Sequence, residues 1–142
     1  MGLTIFNKVK GCNIELSGGY GMLLDIRREV ANLYDREFGK HYEILGSRFM
    51  TEEDYKKWNT TANLILNDDR FKDEDEDLLD FLFAPDCDGK ISYKTCKKVY
   101  DLLLKSNATC PLRYDFYSHN DWDDLRKLLL ICYKHKANLY WC

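Results

Sequence analysis

Apolar residues recur at spacings of three and four in five separate stretches of this chain, and that period confines most of it to amphipathic helices packed on one another. The first stretch sets Leu23, Ile26, Val30 and Leu33 on one face, and Gly39 beyond it reads as a left-handed stop. The second opens at Thr51-Glu52-Glu53-Asp54, where the Thr51 hydroxyl can accept from the third helical amide and Met50 can pack on Tyr55. Tyr55, Trp58, Ala62 and Ile65 form its expected buried face. A shorter helix should start in the acidic run, whose carboxylates favour the positive end of the helix dipole, and bury Leu78, Leu79, Leu82 and Phe83 before Pro85 stops it. Ser92 is the natural cap of a fourth helix, with Ile91 and Cys96 at staple spacing and Tyr93, Cys96, Val99, Tyr100 and Leu103 on one face. Ser118 or Asn120 should cap a fifth, in which Trp122, Leu125, Leu129 and Cys132 repeat at helical spacing.

The two ends carry a different signal. Leu3-Thr4-Ile5-Phe6 is β-prone, and Ile14-Glu15-Leu16 can continue or pair with it after the Lys10-Gly11 turn signal. Leu139-Tyr140-Trp141-Cys142 is too aromatic for a solvated tail, so it is expected to pair as a strand with the N-terminal segment. The predicted fold is therefore mainly α within an α+β class: about five helices, with a small sheet formed from the N- and C-terminal segments. No repeat or linker divides the 142 residues, which are read as one domain, 1–142.

Charge and cysteine usage narrow the functional classes. Twenty-four acidic residues against 21 basic ones give a net charge of -3, without the basic footprint that phosphate backbones reward, so nucleic acid is not an expected partner. No apolar run approaches the roughly 18 residues of a spanning helix, and the opening lacks the basic start and apolar stretch of a signal peptide; a cytoplasmic protein without membrane contact is expected. Asp68, Asp69, Asp73, Glu74, Asp75, Glu76, Asp77 and Asp80 crowd one stretch, and Lys90, Lys94, Lys97 and Lys98 follow it. They read as a solvated acidic helix start and a solvated basic helix face, with a docking site as the alternative. Cys12, Cys87, Cys96, Cys110, Cys132 and Cys142 form no C-x-x-C pair, and His41, His119 and His135 stand apart from them. Free thiols acting as small apolar groups are expected, with no metal and no cofactor. In an intracellular protein the sequons Asn59-Thr60-Thr61 and Asn107-Ala108-Thr109 have no meaning.

One segment comes close to a known metal loop. In Pro85-Asp86-Cys87-Asp88-Gly89-Lys90-Ile91-Ser92, Asp-x-Asp-Gly-x-Ile is the middle of an EF-hand. With Gly89 sixth, Asp86 falls third, Asp88 fifth, the Lys90 carbonyl seventh and Ser92 ninth, but Ala84 and Thr95 occupy the first and twelfth positions. The bidentate glutamate that completes a calcium shell is missing, and two carboxylates cannot replace it. A metal-free turn is expected, built on Asp86, Cys87, Asp88, Gly89, Ser92 and Cys96, with Gly89 at positive φ and the aspartates accepting backbone amides. Ser17-Gly18-Gly19-Tyr20-Gly21 matches no phosphate-binding pattern and reads as a flexible connection, and Phe6 stands where a myristoylation signal wants Ser or Thr. His119 with Asp121, Asp123 and Asp124 is the best local acid–base set, yet no nucleophile stands beside it, and an acidic helix N-terminus explains the same residues.

Several of these features occur together elsewhere. Met1-Gly2-Leu3-Thr4-Ile5, the Ser/Gly/Tyr segment before the first helix, the Asp-Cys-Asp-Gly-x-Ile-Ser-x-x-x-Cys core from Asp86 to Cys96 and the aromatic C-terminal strand resemble small uncharacterised bacterial and phage proteins. The core is the most specific part, and the stretch from Lys40 to Glu76 lies outside the resemblance. It implies a bacterial or phage source and a shared fold, and it carries over no catalytic residue.

The expected function is non-enzymatic: a protein-interaction or accessory module acting on an unknown protein partner. It rests on the missing enzyme signatures and on 10 Tyr, 7 Phe and 3 Trp, more aromatics than a core of this size requires. The alternative is a small enzyme whose site gathers Asp86, Asp88, Cys87 and His119.

Overall fold

Residues 2–18, 20–43, 51–69, 76–84, 88–105 and 121–142 are described by a computed structural model of the chain. In chain order they form β1 (Leu3–Asn7), β2 (Leu16–Gly18), α1 (Tyr20–Tyr34), α2 (Arg36–Glu43), α3 (Glu52–Leu66), α4 (Glu76–Phe83), β3 (Gly89–Ile91), α5 (Tyr93–Leu103), α6 (Asp121–Lys134) and β4 (Leu139–Trp141).

The two ends do meet. β1 runs antiparallel to β4 with Ile5 opposite Trp141, Phe6 opposite Tyr140 and Asn7 opposite Leu139. Thr4 and Cys142 extend the ladder by exchanging backbone hydrogen bonds of 2.8 and 3.1 Å. The sheet order is β2-β1-β4-β3, antiparallel throughout, so the C-terminal strand is interior to the sheet. Side-chain alternation gives the sheet two unlike faces. Leu3, Ile5, Leu16, Ile91, Leu139 and Trp141 are buried on one. On the other, Phe6 stacks on Tyr140 at 5.6 Å, and the Lys8 ammonium lies 4.4 Å from the Tyr140 ring centre.

The helices close over the apolar face. Met22, Leu23, Ile26 and Val30 of α1, Cys96, Val99 and Leu103 of α5, and Trp122, Leu125, Leu129 and Cys132 of α6 join the sheet residues in one core. Arg27 is buried there over the rings of Phe81 and Trp141, 5.7 Å from each. Thr51 caps α3 through a reciprocal capping box with Asp54, and Ser92 caps α5 by accepting from the Thr95 amide. Among the described residues no helix is long and apolar enough to cross a membrane.

Four expectations need correction. Gly39 does not end a helix: it lies within α2, a sixth helix, where a Cβ would collide with the Asn32 side chain, so glycine serves the close approach of α2 to α1. Gly89 does not take a positive φ: it begins β3, and Asp88 takes the left-handed conformation with φ 51°. Tyr55 is 56 % exposed, because α3 meets chiefly α2 and the remaining core does not reach the first turn of α3. Phe83 is half-buried, whereas Phe81 is buried with its ring edge-on to Trp141 at 6.1 Å. Pro85, Met50, Ser118 and Asn120, expected to stop, staple or cap helices, lie outside the described residues.

Candidate functional site

The acidic stretch and the basic face of α5 are not independently solvated, because they join at Asp77. Its carboxylate accepts from the Lys98 ammonium at 2.6 Å, from the buried Thr95 hydroxyl at 3.3 Å and from the Leu78 amide at 3.1 Å. Burial alone would raise the Asp77 pKa, but the Lys98 hydrogen bond and charge prevail and hold it below the usual carboxylate value. Lys97 pairs with Asp101 at 2.7 Å and lies near the rings of Tyr100 and Tyr133. This cluster fastens α4 to α5. Thr95, the twelfth position of the calcium-loop alignment, is committed to Asp77 and Ser92, and Lys90, the seventh, pairs in the sheet with Tyr140.

Of the residues assigned to the turn, Asp88, Gly89, Ser92 and Cys96 are described, while Asp86 and Cys87 lie outside the described residues. Cys96 points into the core beside Cys132, whose thiol lies 3.7 Å from both the Asn7 amide nitrogen and the Asn138 carbonyl. The hydrogen bond to Cys132 and burial push the Cys96 thiol above its ordinary range, while the same hydrogen bond lowers the Cys132 thiol. His119 also lies outside the described residues, so the alternative catalytic set is not assembled by them; Asp123 is paired with Arg126 at 3.0 Å. Among the described residues no three His, Cys, Asp or Glu side chains converge as metal ligands do.

What sequence reasoning passed over is the seam between α2 and α3. Phe38, His41 and Tyr42 recur at helical spacing in a helix too short and too polar to announce itself; Phe38 packs on Tyr34 and Phe83, while His41 and Tyr42 turn toward α3. His41 stacks on Trp58 with ring centres 3.5 Å apart and planes at 22°, and Phe83 lies 5.6 Å away. Tyr42 meets Trp58 edge-on at 5.3 Å and donates its hydroxyl to the Leu82 carbonyl. Desolvation in this aromatic setting lowers the His41 pKa from 6.5 to about 4, so the ring is neutral near pH 7. His41 is 1 % exposed, and among the described residues neither ring nitrogen has a hydrogen-bond partner.

Beside this stack opens a cleft of about 620 Å³, lined by Lys40 and His41 of α2, Lys57, Thr61, Leu64 and Ile65 of α3, with Glu37 and Asp68. Among the described residues Lys40 and Lys57 enter no ion pair, whereas Glu37 and Asp68 are both engaged in contacts. Along α3, Tyr55 in the first turn and Leu64 and Leu66 in the last are 56, 70 and 44 % exposed. Compared with known protein families, with curated proteins and with solved structures, the chain matches none of them.

Proposed function

We propose that the protein is a non-enzymatic interaction module that binds a protein partner through α3. The observation that carries this reading is the imbalance of that helix: 15 residues long, it buries Ile65 and leaves Tyr55, Leu64 and Leu66 open to water. A helix of this length is marginal by itself, and most helices draw their stability from packing an apolar face. Fully burying a leucine is worth roughly 1.5–3 kcal/mol, and the larger part of that for Leu64 and the smaller part for Leu66 is left for a partner to supply. Exposed tyrosine is a common anchor of protein interfaces, and Tyr55 in the first turn of α3 lies on the same side of the helix as Leu66 in the last. The resemblance to bacterial and phage proteins fits an accessory factor acting in a bacterial cytoplasm, where its partner is a protein and not nucleic acid.

The test is quantitative recovery of proteins bound to the tagged chain in its native cells, wild type against the double variant Leu64→Asp/Leu66→Asp. A stoichiometric partner that is lost with the variant, while the variant keeps the parent melting temperature, is the expected result. An unchanged set of bound proteins, or none above background, refutes the assignment of α3.

A further inference from the structure

Among the described residues, buried nitrogens of Arg27, Arg28 and His41 have no hydrogen-bond partner. Both arginines make other contacts, and Thr95 is satisfied by Asp77 and Ser92, whereas in His41 both polar atoms of the side chain are left without a partner. A neutral imidazole has one N–H to give and one lone pair to fill, and unmet buried polar atoms are rare in folded proteins unless a site uses them. His41 also lines the α2–α3 cleft, together with Lys40 and Lys57, which pair with no carboxylate among the described residues, and an apolar wall of Leu64 and Ile65.

We propose that this cleft is a binding site for a small organic carboxylate with an apolar body. Lys40 and Lys57 answer the carboxylate, Thr61 supplies a hydrogen bond from the wall and His41 another after a small rotation of its buried ring, and Leu64 and Ile65 receive the apolar part. The volume falls among those of pockets that enclose small organic ligands and far exceeds an inorganic anion. A cationic ligand fits less well, since the two acidic residues at the cleft are already engaged and the two lysines would repel it. The cleft shares Leu64 with the exposed surface of α3 but not Lys40, His41, Lys57 or Thr61, so substitution of the lysines tests this proposal apart from the protein contact.

The experiment is calorimetric titration of the full chain with octanoate, 4-phenylbutyrate and indole-3-acetate, and with the primary amide of each. His41 ring resonances are followed by NMR in parallel. At least one acid should bind saturably with a Kd below about 1 mM, shift the His41 resonances, and lose about tenfold in affinity as its amide or in Lys40→Gln/Lys57→Gln. Neither lysine enters an ion pair among the described residues, so that variant should keep the parent melting temperature. Absence of saturable binding by all three acids up to about 10 mM overturns the proposal, as does binding indifferent to the lysines or to amidation. Tighter binding of acetyl-Ala-Ala-Leu than of any small acid would overturn it too, in favour of a peptide C-terminus.

Discussion

Gly89 lies directly against the indole of Trp141, its cross-strand partner: a Cβ built on Gly89 would fall inside the ring. The β3–β4 pair therefore closes only with glycine at this position, and the largest side chain of the core is seated by the residue with none. Gly89→Ala is expected to destabilise the protein by about 1–3 kcal/mol, in the range of overpacked cores, read as a shift in the urea midpoint. Gly11→Ala is the contrast, since Gly11 has open space around it and only its φ of 85° to strain. It should cost about 1 kcal/mol.

The Asp77 cluster separates a buried hydrogen bond from an exposed charge. Thr95 is 2 % exposed, so Thr95→Val removes a donor from a sheltered site and should cost about 1 kcal/mol. Lys98 and Asp77 are each 37 % exposed at the side chain, and Lys98→Met should cost less than about 1 kcal/mol despite the 2.6 Å contact. Equal losses in thermal denaturation of the two variants would contradict this division.

Acid should weaken the fold in two windows. The unfolded chain protonates His41 near 6.5 while the folded chain resists to about 4, so below pH 6.5 the unfolded state binds the extra proton and stability falls. The loss should approach the order of 3 kcal/mol by pH 4, and His41→Phe, which keeps the stack on Trp58, should flatten this part of the profile. Asp77 acts further down: its folded pKa lies below 3.8, so its contribution is present above that value and is lost as the pH falls through the lowered pKa. Denaturant midpoints of both proteins between pH 7 and 4 check the first window.

Deleting residues 139–142 should leave the chain unfolded or insoluble. Leu139 and Trp141 are 3 and 1 % exposed, and β4 carries the ladders of both β1 and β3. The loss of a buried aromatic and leucine alone approaches the roughly 5–15 kcal/mol that holds such a domain together. A truncated protein melting at the parent temperature would refute the pairing of the ends.

The readable parts of this fold are those where one local signal has one physical cause. The three-and-four spacing of Leu125, Leu129 and Cys132 can only be a helix face, and Thr51 before three acidic residues can only open a helix. Leu139 to Trp141 has no way to hide its side chains except in a sheet. Gly89 and Gly39 misled because glycine serves two ends, positive φ and close approach, and only tertiary neighbours, Trp141 and Asn32, decide between them. Tyr55 shares the periodicity of Ile65, but periodicity marks a face without saying how far along the helix that face is covered. The α2–α3 cleft was hidden for a related reason: a lone histidine such as His41 becomes notable only when its packing on Trp58 and its two unpartnered nitrogens are known.

Whether α3 is the working surface is tested most directly by site-specific photocrosslinking in the native cells, with a photoreactive side chain placed in turn at positions 55, 64 and 66 and, as controls, at positions 17 and 90 on the outer face of the sheet. A discrete crosslinked product from the three α3 positions and none from the sheet positions is the expected result. Crosslinks from the sheet alone, or from neither surface, would contradict it.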